Sequence, residues 1–243
     1  MTVIPYYMAR RRLGVAGGGG GGEDAAFANV VLLSHFTGAN GSTTFIDESS
    51  VGRTISALSG AQIQSNKLEL DGIDDGITIA DAADLTITGD FTFELFGVEW
   101  DVNESVRLAG HIPAAGSTDY GWIFDYDAAG DRIRWLYSVL GASASLVTIN
   151  LNSVSNFVPS VVTPYDICVE RSGTTLRGYI DGVMVGTASW SDNPHNSSSL
   201  LRIGFAAALA LDGRMTAVRF TNGTARYASD GGYTVPSLPL PTS

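Results

Sequence analysis

Cysteine is nearly missing from this chain: Cys168 stands alone, so no intrachain disulfide is available and the fold must rest on its core. It lies in YDICVE, where strand alternation puts Ile167 and Val169 on one face and Cys168 on the other. That pattern reads as a half-buried strand thiol rather than a nucleophile, since no histidine is placed beside it. Histidine is also sparse. His35, His111 and His195 share no ligand spacing, so neither a zinc site nor a serine triad is predicted; His35, in VVLLSHF, reads as a strand residue with a satisfied ring. No Glu-x-Asp-x-Glu triplet occurs, the pattern that would aim three carboxylates the same way along one strand. Glu94 and Glu99 are five apart, which in a regular strand puts them on opposite faces. Asp125 and Asp127 share a face but read as turn caps. Glycan cleavage is therefore disfavoured. Long apolar runs are missing too: IGFAAALAL (203–211) is too short to span a bilayer. No segment has the apolar core of a signal peptide, so a soluble product made in a cytoplasm is expected.

Positive charge is scarce and unevenly placed. The formal net charge is −11, yet residues 1–22 hold Arg10, Arg11 and Arg12 and no acid, leaving the remainder at −14. Such a body repels phosphate backbones, which argues against nucleic acid as its ligand. The arginines precede six consecutive glycines in MARRRLGVAGGGGGGEDAAF (8–27). Glycine visits both halves of backbone space, so this run is a flexible joint with a reach of roughly 13 Å. The expected organisation is an extended basic arm over 1–26 and a folded domain over 27–243.

Beyond Glu23 the dominant signal is short β runs broken by Gly, Asn, Asp and Ser: VVLLSHF (30–36), KLEL (67–70), GITIA (76–80), FTFELFGVEW (91–100), YGWIFDYD (120–127), RIRWLYSV (132–139), SLVTINL (145–151), YDICVERS (165–172), TLRGYID (175–181), LLRIGF (200–205) and RMTAVRF (214–220). Phe91, Phe93 and Leu95 alternate inward, and Asp181-Gly182 is a favoured hairpin dipeptide. With no long helical periodicity, the fold class is all-β, a two-sheet antiparallel jelly-roll sandwich. The proline-bearing tail SLPLPTS is excluded from central strands.

VERSGTTLRGYIDGVMVG resembles the strand–turn–strand of laminin-G-like, concanavalin A-like jelly rolls. LELDGIDDGITI and FTFELFGVEW are similar to earlier segments of that family, and DGRMTAVRFTNGTARYASDGGYTVPSLPLP to its closing module. The likeness covers about residues 29–241. More narrowly, the arm followed by FANVVLLSHFTGANGSTTFIDES resembles stand-alone versions encoded by tailed bacteriophages. That resemblance implies a virion accessory protein of decoration, head-fibre or tail-fibre type. Tyr6, Tyr7, Arg10, Arg11 and Arg12 would then anchor it to capsid or tail proteins, while the jelly roll is displayed for host-surface glycans. A homo-oligomer fits such a role. The alternative is a structural module with no ligand.

Two residue groups are candidates for ligand contact. Trp190, Asp192, Asn193, His195 and Asn196 lie in ASWSDNPHNSSS, a polar loop where an aromatic beside amides and carboxylates suits a sugar; Trp122 and Trp135, in strand patterns, read as core. Calcium is the one metal raised, because jelly rolls of the resembled family hold it with loop aspartates. Asp71, Asp74 and Asp75 cluster hard oxygens, and Asp47 could approach across the rim; calcium takes six to eight oxygens. The competing reading is that these aspartates only brace turns.

Overall fold

A computed structural model describes residues 23–114, 116–206 and 209–243; the hexaglycine and the arm residues Tyr6, Tyr7, Arg10, Arg11 and Arg12 lie outside them. In chain order the strands are β1 (Val30–Ser34), β2 (Thr44–Ile46), β3 (Thr54–Leu58), β4 (Gln62–Gln64), β5 (Lys67–Asp71), β6 (Gly76–Ile79), β7 (Phe91–Trp100), β8 (Val106–His111), β9 (Trp122–Asp127) and β10 (Arg132–Tyr137). They continue as β11 (Val147–Leu151), β12 (Tyr165–Ser172), β13 (Thr175–Ile180), β14 (Val183–Ser189), β15 (Leu201–Ile203), β16 (Phe205–Ala206), β17 (Leu209–Ala210), β18 (Asp212–Met215) and β19 (Ala217–Asn222). One sheet runs β14-β13-β12-β7-β18-β5-β4, with β19 also on β7 and β1 on β19; the other runs β11-β10-β9-β8-β15-β6-β3-β2. Pairing between the described strands is antiparallel, and the two sheets enclose one main core, as a jelly-roll sandwich requires.

Alternation explains the core. Phe91, Phe93 and Leu95 of β7 meet Trp122, Phe124 and Trp135 from the opposite sheet. The Trp122 and Trp135 rings stack with centroids 5.0 Å apart. Asp181 and Gly182 both take positive φ, 50° and 77°, as the twist of the β13–β14 hairpin demands.

The second half of β7 breaks the simple pattern. Leu95 pairs with Ile167 and Val98 with Tyr165, so Phe96 and Gly97 together oppose Asp166, a bulge. Gly97 sits at φ 60° and donates its N–H to Asp166 Oδ1 at 2.8 Å. The extra residue reverses the parity of the strand beyond it: Val98 and Trp100 return to the core, while Glu94, Phe96 and Glu99 all leave it. The expectation that Glu94 and Glu99 face opposite ways is thus corrected by one inserted residue. Here too the neighbour of β7 changes from β19 to β18, and the joining residue Thr216 donates its N–H to Phe96 O.

The outer face of the β12–β7–β19 region is covered rather than solvated. Cys168, Glu94 and Arg219 lie in one cross-strand row, and Glu170, Thr92 and Thr221 in the next. The segment after β19 folds over both rows. Arg219 binds Glu94 bidentately (2.6 and 2.8 Å), and Tyr227 OH donates to Glu94 at 2.5 Å. Glu170 accepts the N–H groups of Tyr227 and Ala228. Arg226 reaches Asp24 with two hydrogen bonds (3.0 and 2.7 Å), so among the described residues contacts with the body include one three residues ahead of Phe27. Tyr233 stacks on Tyr227, and Cys168 beneath them is fully buried, not half-buried as the alternation alone suggests. Burial, with Glu94 and Glu170 nearby, pushes its thiol well above the usual range.

Gly97→Ala tests the bulge. A Cβ there would lie 2.4 Å from Thr216 Oγ1 at a φ that disfavours side chains. Destabilisation of about 1–3 kcal/mol is expected, read as a lower denaturant midpoint at unchanged slope.

Candidate functional site

The loop predicted to contact ligand is held down at every position. Trp190 follows β14, where its N–H donates to Thr174 O at 2.8 Å. Its ring is 2% exposed, packed on Phe91, Trp135 and Tyr137. Arg171 lies over that ring, 4.6 Å from the centroid, and donates to the carbonyls of Gly173, Ser191 and Asp192 and to Asn193 Oδ1. Trp190 therefore offers no face to a sugar. A polar loop carried the tryptophan inward because Arg171 satisfies the loop's carbonyls above it.

The polar members remain at the surface. Asp192, Asn193 and Asn196 are exposed and His195 is half-buried. Asp192 accepts from Tyr137 OH at 2.7 Å; burial and this bond push the Tyr137 hydroxyl up to about 12. His195 Nε2 lies 3.3 Å from Asp119 Oδ1. Asp119, which sequence reading passed over, anchors the loop: it accepts from Ser198 N–H, Ser198 Oγ and Ser199 Oγ. Burial opposes its ionisation, but these bonds from Ser199, Ser198 and His195 hold its carboxyl down at about 2. A depressed carboxylate contributes stability that is present above its unfolded value and lost as pH falls through about 2, so the loop stays pinned across the neutral and mildly acidic range.

Asn196 connects this loop to a second feature, since Thr86 Oγ1 donates to Asn196 Oδ1 at 2.6 Å. Thr86 lines a shallow cleft of about 400 Å³ with Asn29, Val51, Asp84, Thr88 and Asn222. Asn222 Nδ2 donates to the Asp84 and Thr86 carbonyls, tying the segment before β7 to the end of β19. Segments 83–90, 191–199 and 222–224 thus form one polar rim at the Phe91 end of β7. Its residues are remote in sequence and gathered only by topology; the single local hint is TIT, a short hydroxyl-bearing run between strands.

The aspartates gather at the other end. Asp71, Asp74 and Asp75 bring one carboxylate oxygen each within 4.8 Å of one another. Asp212 faces Asp71 across β5–β18, next to Trp100 and Asp101. Asp47 does not join them: it is buried and accepts from Leu33, Ser49 and Arg53 N–H groups, so it braces its own turn. Asp71 also caps a turn, through Ile73 N–H, whereas Asp75 is 5% exposed and takes the Gly60 N–H on its carboxylate. Burial raises the Asp75 carboxyl, and repulsion from Asp71 and Asp74 adds to it. These three aspartates offer three of the six to eight oxygens a calcium ion takes, and Asp71 and Asp75 already accept backbone N–H groups. The ten residues of β7 separate this group from the rim by roughly 30 Å.

For a carboxyl whose folded pKa is raised, stability is greatest below the unfolded value and falls as pH rises through the folded one. Without calcium, the wild-type chain should lose stability over that window. Asp75→Asn, which keeps the acceptor for Gly60, should flatten the loss. Calcium should raise Tm at neutral pH in the wild type and not in the Asp71→Asn, Asp75→Asn double variant. Equal melting in calcium and in a chelator would remove the cation and leave turn bracing.

No curated protein matches the sequence. Among solved structures, the binding domain of Paraclostridial Mosquitocidal Protein 1 aligns at 14% identity and TM-score 0.61, over 83% of this chain and 50% of that one. The botulinum neurotoxin serotype D ligand binding domain, in complex with N-acetylneuraminic acid, aligns at 11% and 0.57, over 81% and 48%. Trypanosoma rangeli sialidase in complex with sialic acid aligns at 14% and 0.55, over 80% and 31%. The chain spans half the length of these proteins or less, and at such identities the likeness is one of fold. Residues 71–228, well over half the sequence, match the laminin G family described as the concanavalin A-like lectin/glucanases superfamily, and the chain belongs to it.

Proposed function

We propose that this chain is a non-catalytic glycan-binding jelly roll, displayed on a bacteriophage particle by its basic arm. The observation that carries the binding reading is the rim cleft. Thr86, Thr88, Asn29 and Asn222 put hydroxyls and amides around one shallow recess, beside the Asp84 carboxylate that Arg53 pairs and the Asn29 amide that donates to Thr224, with Asn193, Asn196 and Asp192 on the adjoining loop. That mixture of donors and acceptors suits sugar hydroxyls. Similar folds among the binding domains of toxins support the same class of ligand. With Trp190 buried there is no stacking platform on this loop, so single-site affinity is weak and display in several copies supplies the strength.

The non-catalytic part is supported by the state of the carboxylates. Hydrolysis needs an acid and a base free to face one glycosidic bond. Glu94 is bound by Arg219, Glu99 by Lys67, Asp125 by Arg134 and Asp127 by Arg132. Each is neutralised by a neighbouring cation. Phage origin and particle anchoring rest on the resemblance of the arm and its adjoining segment. Among the described residues no helix is long and apolar enough to cross a membrane. A ligand-free structural module is the second reading, favoured by the way Asn222 and Thr86 already satisfy one another's surroundings.

On a glycan array the full chain should bind saturably, and Asp84→Asn with Thr88→Ala should weaken that binding at least tenfold without unfolding the protein. Undiminished binding would move the site off the rim, and no binding by folded protein would favour the structural reading. Deleting residues 1–22 should leave the described fold intact and abolish incorporation into particles; retained incorporation would refute the anchor.

A further inference from the structure

Arg202 is a buried arginine on the second sheet. It is 8% exposed in the centre of β15, yet its Nε is enclosed with no acceptor. Among the described residues no carboxylate comes within ion-pair reach of it. Burying part of an unpaired cation is unfavourable. By contrast Arg132, Arg134, Arg214, Arg219 and Arg226 each hold a carboxylate.

The surroundings of Arg202 are ordered by register. Leu201 and Ile203 face the core, so Arg202 faces outward from its sheet. Directly across β6 lies Thr78, then Ser56 on β3, then Thr44 on β2. On its other side is Gly110 of β8, which contributes no side chain. One guanidinium is thus followed by three hydroxyls in a straight row across four strands. At the usual strand spacing the row is roughly 14 Å long. Ser56 and Thr44 are exposed, whereas Thr78 is buried and its hydroxyl donates to the Ser56 carbonyl at 3.4 Å.

We infer that this sheet face binds an acidic oligosaccharide, with the carboxylate of a uronate-type sugar on Arg202 and sugar hydroxyls on Ser56 and Thr44. The class of ligand rests on the glycan-binding reading, but the surface is distinct from the rim. A carboxylate is the natural partner of a planar guanidinium. The acidity of the rest of the body excludes densely charged polyanions, so the site takes one isolated negative group.

The test uses the full chain, with the Arg202 Nε–H signal assigned by its loss in Arg202→Gln. Sodium glucuronate should shift that signal, and glucose should not. An oligosaccharide containing glucuronate should bind, with at least tenfold loss in Arg202→Gln and a smaller loss in Ser56→Ala. Without ligand, Arg202→Gln should melt no lower than the wild type, because it removes an unpaired buried charge. A signal unmoved by glucuronate, or moved equally by inorganic sulfate, would overturn the inference. So would a lower Tm with no change in binding, which would make Arg202 a packing residue. Rim variants that lose neutral glycans while Arg202 still binds glucuronate would leave both sites standing as separate surfaces. Rim variants that keep neutral glycans would refute the rim alone, and loss of glucuronate binding in those same variants would refute a separate site at Arg202.

Discussion

The pair formed by Arg219 and Glu94 is the contact on which the other features hang. Both residues lie on the outer face of the larger sheet, Glu94 only 1% exposed. A buried pair of this kind contributes little compared with well-packed apolar residues, but removing one partner typically costs about 3–5 kcal/mol. Its value is in specification. Glu94 also takes the hydroxyl of Tyr227, and Arg219 lies within reach of Asp24. The closing segment, the entry of the chain and the register of β7 with β19 are therefore fixed by one set of charges. The same set removes Glu94 from any chemistry the superfamily's enzymes would ask of a carboxylate.

Much of this sandwich is legible in the sequence, and the reasons are physical. β7, β9, β10, β12 and β13 announce themselves because large apolar residues recur along them with a period near two, even though β7, β9 and β12 end up buried on both faces, and the Asp181-Gly182 turn because few residues accept its backbone. β2, β3, β4 and β8 are harder: TFI, QIQ and TISAL are short or edge-like, and VRLAGH carries Ala-Gly ahead of its last residue. Parity failed at Gly97, although an isolated glycine in a strand pattern is itself the sign of a bulge. Trp190 misled for a different reason. Its neighbours in sequence are polar, but its neighbours in space are Arg171 and three aromatic rings, and only the pairing of β12 with β13 brings Arg171 there. The rim suffers the same difficulty, since Asp84 and Asn222 are joined by topology alone.

The two candidate groups visible in the sequence turn out to be properties of opposite ends of one strand. A cation at Asp71, Asp74 and Asp75 would sit beside Trp100 and the loop of Asp101, too far from the rim to touch a ligand there. Any influence of calcium on recognition at the rim would pass through the stability of the sandwich. The acidic end and the hydroxyl-rich rim can therefore be tuned independently, which suits a scaffold whose loops vary while its core persists.

Asp24 has one more consequence, a mechanical one. Its carboxylate grips Arg226, and its N–H donates to the carbonyl of Ser243 at 2.9 Å. Tension arriving along the residues ahead of it is delivered first to that clasp and to the closing segment, and only afterwards to β1, which is laid along β19. The cover over Cys168 is held separately, by Tyr227 on Glu94 and by the Tyr227 and Ala228 N–H groups on Glu170, so letting go of the clasp would free the entry of the chain without uncovering the sheet face.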